Sequence, residues 1–129
     1  MRIFKNRAFY KWASKQGLSD ETLCAAVKEI ARGLVDADLG SGVIKKRVAV
    51  GGRGKRGGVR MILAYQAGNN AFFIYGFAKN TRANINDDEL KALKLLAADL
   101  LNYSTHYLAY LVEVGELLEI ENIEVKSNG

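Results

Sequence analysis

The sequence predicts an α+β domain, with helices covering one side of a small, twisted, mostly antiparallel sheet. Three observations carry this reading. Apolar residues recur at helical spacing between Phe9 and Leu34; three segments rich in β-branched and aromatic residues follow between Val43 and Ala78; helical spacing then returns from Leu90. With 129 residues, 49% of them hydrophobic, the chain is long enough for one core.

Residues 2–5 read as a short edge strand. Phe9, Trp12 and Ala13 then lie opposite Arg7, Lys11 and Lys15 on a first helix that runs to Gln16 and stops at Gly17. Ser19 is an N-cap followed by the acids Asp20 and Glu21. Leu23, Ala26, Val27, Ile30, Ala31 and Leu34 make the apolar stripe of a second helix. VDADLGSG reads as a connection. Val43 to Val50, Val59 to Gln66 and Ala71 to Ala78 read as three successive antiparallel strands, with Gly68-Asn69-Asn70 closing a hairpin between the last two. Asn86 and Glu89 have the spacing of a capping box, opening a helix whose apolar positions include Leu90, Leu93, Ala97, Leu100 and Leu101. Ser104 caps a last helix through about Val114, ended by Gly115, and LLEIENIEV beyond it is either an edge strand or an ordered tail. The expected organisation is therefore one domain over residues 1–115, with 116–129 a tail or short edge strand rather than a second domain.

Charge is distributed unevenly along the chain. Of 19 basic residues, Lys45, Lys46, Arg47, Arg53, Lys55, Arg56 and Arg60 cluster in one acid-free, glycine-rich window, whereas the segment from Glu113 onward is acidic. Such a cluster points to a polyanionic partner. Cys24 is the only cysteine, which excludes an intramolecular disulfide and a cysteine cage for zinc and suits a reducing compartment. No export signal and no run of eighteen apolar residues is visible, so the expected location is the cytoplasm, without a membrane span.

Strand alternation places Arg60 with Ile62 and Ala64, and Lys45 with Arg47; on the third strand it lines up Phe73, Tyr75, Phe77 and Lys79. Metal and triad chemistry find no support, since His106 is the sole histidine and reads as a surface or packing residue. GGRGKRGG lacks the spacing of a nucleotide-binding P-loop. What remains is phosphate chemistry. Arginine offers a permanent forked charge, and a lysine crowded by cations has its pKa lowered toward usable values. Lys, Arg and Tyr together could therefore cut RNA through its 2′-OH or simply grip phosphates, and composition alone leaves both open. Met61, Leu63, Phe72 and Ile74 are expected in the core, and Trp12 in packing rather than base stacking.

Three blocks, ARGLVDADLGSGVIKKRVA, GRGKRGGVRMILAY and FFIYGFAKNTRANINDDELKALK, resemble the RelE/HigB-like toxins of type II toxin–antitoxin systems, within the RelE/ParE superfamily. The resemblance implies a RelE-like fold, with two N-terminal helices packed on the sheet and further C-terminal helices. It implies an mRNA interferase: a metal-independent endoribonuclease that inhibits translation by cutting messenger RNA in the ribosomal A site, with no cofactor. By position, Lys55, Arg56, Arg60 and Lys79 match the catalytic cations. Lys45, Lys46, Arg47, Arg53, Tyr75 and Arg82 are the expected RNA or phosphate contacts, and Tyr75 and Tyr103 are the candidates for an acid or stacking group. The implied partners are the ribosome, its messenger and a cognate antitoxin, expected to be of helix-turn-helix type, with no direct DNA binding by the toxin alone. The competing readings are a ParE-like inhibitor of DNA gyrase and an RNA-binding module without catalysis.

Overall fold

The computed structural model describes residues 1–50 and 58–121. In chain order the elements are β1 (Ile3–Asn6), α1 (Arg7–Gln16), α2 (Asp20–Ala31), β2 (Ala37–Gly40), β3 (Val43–Val48), β4 (Val59–Tyr65), β5 (Ala71–Ala78), α3 (Asp87–Asn102), α4 (Thr105–Glu113) and β6 (Leu117–Ile120). The six strands form one mixed sheet in the order β2-β3-β4-β5-β1-β6. This is an α+β fold of the RelE-like kind.

Local signals explain most of the element ends. The side chains of Asn6, Ser19, Asn86 and Ser104 each accept a hydrogen bond from the backbone amide three residues on, at the starts of α1, α2, α3 and α4. Asn86 and Glu89 complete the capping box in both directions. Gly17 ends α1 in the left-handed conformation, and a turn with a bond from the Asn69 amide to the Gln66 carbonyl joins β4 to β5.

Four expectations are corrected. The first strand is internal, because β1 pairs in parallel with β5 and antiparallel with β6, whose Glu119 carboxylate takes two bonds from Arg2 at 2.8 and 2.7 Å. The segment VDADLGSG contains β2, which turns back onto β3 through Gly40, Ser41 and Gly42, all with positive φ. The second helix ends at Ala31, leaving Leu34 exposed beyond it. Helices cover both faces of the sheet. The core against α1 and α2 includes Phe9, Leu23, Val27, Met61, Leu63 and Phe73, and that against α3 and α4 includes Phe4, Ile62, Phe72, Leu100 and Leu108.

The β4–β5 register places Ile62 opposite Tyr75 but Leu63 opposite Phe73, so Ile74 is an extra residue in a β-bulge. The bulge breaks the simple alternation expected for this strand. Phe73 packs toward α1 and α2, while Tyr75 and Phe77 pack toward α3, and the four residues do not line up. On the α1 side Gly76 provides room for Trp12, whose ring would lie 2.2 Å from any added Cβ. Trp12 is a packing residue here, as expected from the sequence.

Candidate functional site

Register sorts three cross-strand rows onto the α3 face of the sheet. The first, Val43, Ala64 and Phe72, is buried and apolar. The second is Lys45, Ile62 and Tyr75, and the third is Arg47, Arg60 and Phe77. The face thus changes from core to cationic surface over four residues. Helix α3 accounts for the change: Ala97 and Leu100 pack over the apolar end, while its N-terminus, at Asn86 to Glu89, reaches Tyr75 in the second row.

Arg47 is exposed and Lys45 half-buried, whereas the Arg60 side chain is only 14% exposed. Arg47 and Arg60 are direct cross-strand partners, an arrangement that like charges disfavour. Asp36 supplies the compensating charge, with its Oδ2 3.5 Å from Arg60 Nε. Arg60 Nη1 is buried and has no hydrogen-bond partner among the described residues. A buried donor of this kind gains from an incoming oxygen acceptor. Lys79 is exposed just past β5, and its amide bonds the Gly58 carbonyl at 3.4 Å, which holds it beside the start of β4. Arg53, Lys55 and Arg56 lie outside the described residues.

Arg82 is engaged within the protein. It pairs with both carboxylate oxygens of Glu89, donates to Tyr75 Oη at 3.0 Å and to the Asn84 carbonyl at 3.0 Å, and lies 5.7 Å from the Phe77 ring centroid. Tyr75 Oη in turn donates to Glu89 Oε2 at 3.3 Å. The bonds from Arg82, and then from the Asn86 amide, pull the Glu89 carboxyl from its ordinary 4.5 down to about 2. The network clamps the segment after Lys79 to the start of α3 and fixes the Tyr75 hydroxyl at the edge of the cationic rows.

Lys46 points the other way. It is buried on the α1/α2 face, with Nζ 2.8 Å from Glu29 and 2.9 Å from the Leu34 carbonyl. Its charge is neutralised inside the fold, so it does not share a surface with Lys45 and Arg47. Lys5 is another buried lysine on that face, paired with Asp20 at 2.7 Å. Tyr103 is remote from the rows, against Tyr107 with ring centroids 4.6 Å apart; burial is the main cause that raises its phenol pKa. His106 is exposed. Two residues of the site, Asp36 and Glu89, were not singled out for it from sequence. Asp36 fell in the segment read as a connection, and Glu89 was visible only as a helix cap.

Among the described residues no group of three or more His, Cys, Asp and Glu is placed to hold a metal ion, and no helix is long and apolar enough to cross a membrane. The model of the family described as RelE toxin of the RelE / RelB toxin-antitoxin system matches residues 1–120. No curated protein matches the chain.

Proposed function

Because the chain belongs to the RelE toxin family, and is the toxin of a toxin–antitoxin system, we propose that it is a cytoplasmic endoribonuclease that arrests translation by cutting messenger RNA in the ribosomal A site. The observation that carries this reading is the cationic end of the sheet, where Lys45, Arg47 and Arg60 share one face with Tyr75 and Phe77, and Arg60 keeps a donor without a partner among the described residues. A phosphodiester crossing these rows meets permanent charge from two arginines and an aromatic surface for its bases.

In the proposed reaction the ribose 2′-oxygen forms a bond to the adjacent phosphorus and the bond from phosphorus to the 5′-oxygen breaks. Lys55, in the sequence between β3 and β4, takes the 2′-OH proton or assists its removal electrostatically. Arg60 stabilises the anionic phosphorane, and Lys79 or Arg56 serves the leaving 5′-oxygen, which must gain a proton. The products are a 2′,3′-cyclic phosphate and a 5′-hydroxyl. Arg53 and Arg47 contribute phosphate contacts. Arg82 serves through Tyr75, since its guanidinium is held by Glu89. The basic surface would steer the protein to ribosomal RNA, with an association that weakens as salt rises.

Primer extension on translated messages after induction tests this. Cuts at codon positions on ribosome-bound messages are the expected result. Growth arrest with uncut messages would instead support a protein target such as gyrase and overturn the nuclease reading.

A further inference from the structure

Arginine–carboxylate pairs in this protein take two forms. Arg2 and Arg82 each engage both oxygens of a glutamate, Glu119 and Glu89 respectively, so their guanidinium forks are occupied. Arg60 differs. Its Nε lies 3.5 Å from Asp36 Oδ2, beyond the usual hydrogen-bond distance, and its buried Nη1 has no hydrogen-bond partner among the described residues. Asp36 thus holds one edge of the guanidinium and leaves a donor open.

The places of the two residues in the sheet indicate what this contact does. Asp36 immediately precedes β2, Arg60 lies on β4, and β3 runs between those strands. The Arg60 side chain therefore lies across β3, which accounts for an arginine only 14% exposed. Asp36 is itself fixed, because its amide donates to the Lys45 carbonyl at 2.9 Å and the next residue, Ala37, pairs with Lys45. A long side chain has many rotamers in water, and a fixed anion at its far end selects the one that crosses the strand. Arg47, the exposed cross-strand neighbour, would otherwise repel Arg60 from that path. Direction matters for the chemistry, since donors stabilise a developing anion only where they already point at it.

We propose that Asp36 is a positioning residue for Arg60, anchoring the Nε edge so that the Nη1 donor meets the phosphorane as its charge develops. The proposal rests on the nuclease reading above. Asp36 touches no reacting atom and works only through the guanidinium. Its own charge opposes RNA binding, so its benefit appears in the rate and not in the affinity.

A double-mutant cycle on single-turnover cutting of ribosome-bound message, at saturating toxin, tests this coupling. Asp36→Asn alone is expected to lower the rate by about 10- to 100-fold without weakening RNA binding. Asp36→Glu keeps the charge and should recover most of that loss. In an Arg60→Lys background, whose point charge has no fork to orient, Asp36→Asn should cost no more than about twofold. An undiminished loss there would overturn the proposal, because a general base or a purely structural acid acts whatever stands at position 60. A second readout is independent of cutting: the Arg60 Nε–H resonance in side-chain nitrogen NMR spectra of the free toxin, assigned by its absence from Arg60→Lys. It should be sharp in the wild type and in Asp36→Glu, and broadened by solvent exchange in Asp36→Asn. A resonance unchanged by Asp36→Asn would also overturn the proposal. A wild-type toxin that cuts no RNA would fail the nuclease reading, and these spectra would then decide alone whether Asp36 holds Arg60.

Discussion

Lys45 and Lys46 are neighbours in sequence and carry the same charge, yet the sheet gives them opposite surroundings. Lys45 lies half-buried on the α3 face, across from Ile62 in the row that ends at Tyr75, and Lys46 is buried on the other face against Glu29 and the Leu34 carbonyl. A cation in a strand is open to a ligand or neutralised inside the fold according to its parity and to what lies above it. Charge density in the sequence window does not distinguish the two cases.

Substitutions sharpen this contrast, and Arg60 should give the largest effect. Arg60→Ala removes the permanent charge proposed for the phosphorane, and single-turnover cutting of ribosome-bound message should fall by about 10²- to 10³-fold. Urea unfolding of the same variant reads the separate cost of truncating a side chain that is only 14% exposed and paired with Asp36, so the loss of cutting is measured where the variant is folded. On the opposite face, Gly76→Ala forces a methyl group into the Trp12 ring and should cost about 1–3 kcal/mol in the same unfolding measurement. Lys46→Met leaves the Leu34 carbonyl without its donor and should cost about 1 kcal/mol, roughly 4 °C in Tm, while cutting stays at the wild-type level. Lys45→Ala should do the reverse, lowering RNA affinity and its salt dependence with an unchanged Tm. If Lys46→Met impaired cutting as strongly as Lys45→Ala, parity would not be the rule.

Asp36→Asn probes the acid within the cationic rows. Removing its charge makes the surface more positive and releases Arg60, so RNA should bind at least as tightly while the cutting rate falls. Equal losses in both would reduce Asp36 to a folding role. The smallest effect is expected from Glu89, whose folded pKa is lowered to about 2 from 4.5. Its contribution is present above the ordinary carboxylate range and is lost as pH falls from about 4.5 toward 2. Acid titration of the wild type, compared with Glu89→Gln, should show that loss only in the wild type.

Much of the fold was legible because its signals are local. Caps at Ser19, Asn86 and Ser104, helical spacing in α2 and α3, and β-branched runs in β3 to β5 all act within a few residues. What escaped depends on distant pairing. The internal position of β1 comes from β5 and β6, which follow it by more than sixty residues, and β2 is a four-residue strand with an aspartate that only its partner organises. The bulge at Ile74 was invisible for the same reason, because an extra residue is defined only against the opposite strand. For the site, alternation was enough to put Arg60 with Ile62 and Lys45 with Arg47. It could not show that Lys46 is buried or that Arg82 is clamped by Glu89, since both facts arise from helices packed onto the sheet.

Cutting at the open cationic end of the sheet, as proposed, uses the 2′-OH of the RNA itself. End-group analysis of messenger fragments from programmed ribosomes, incubated with purified toxin, tests it most directly. The wild type should leave 2′,3′-cyclic phosphate and 5′-hydroxyl ends, and Arg60→Ala should lose them. Fragments ending in 3′-hydroxyl groups, or undiminished cutting by Arg60→Ala, would contradict it.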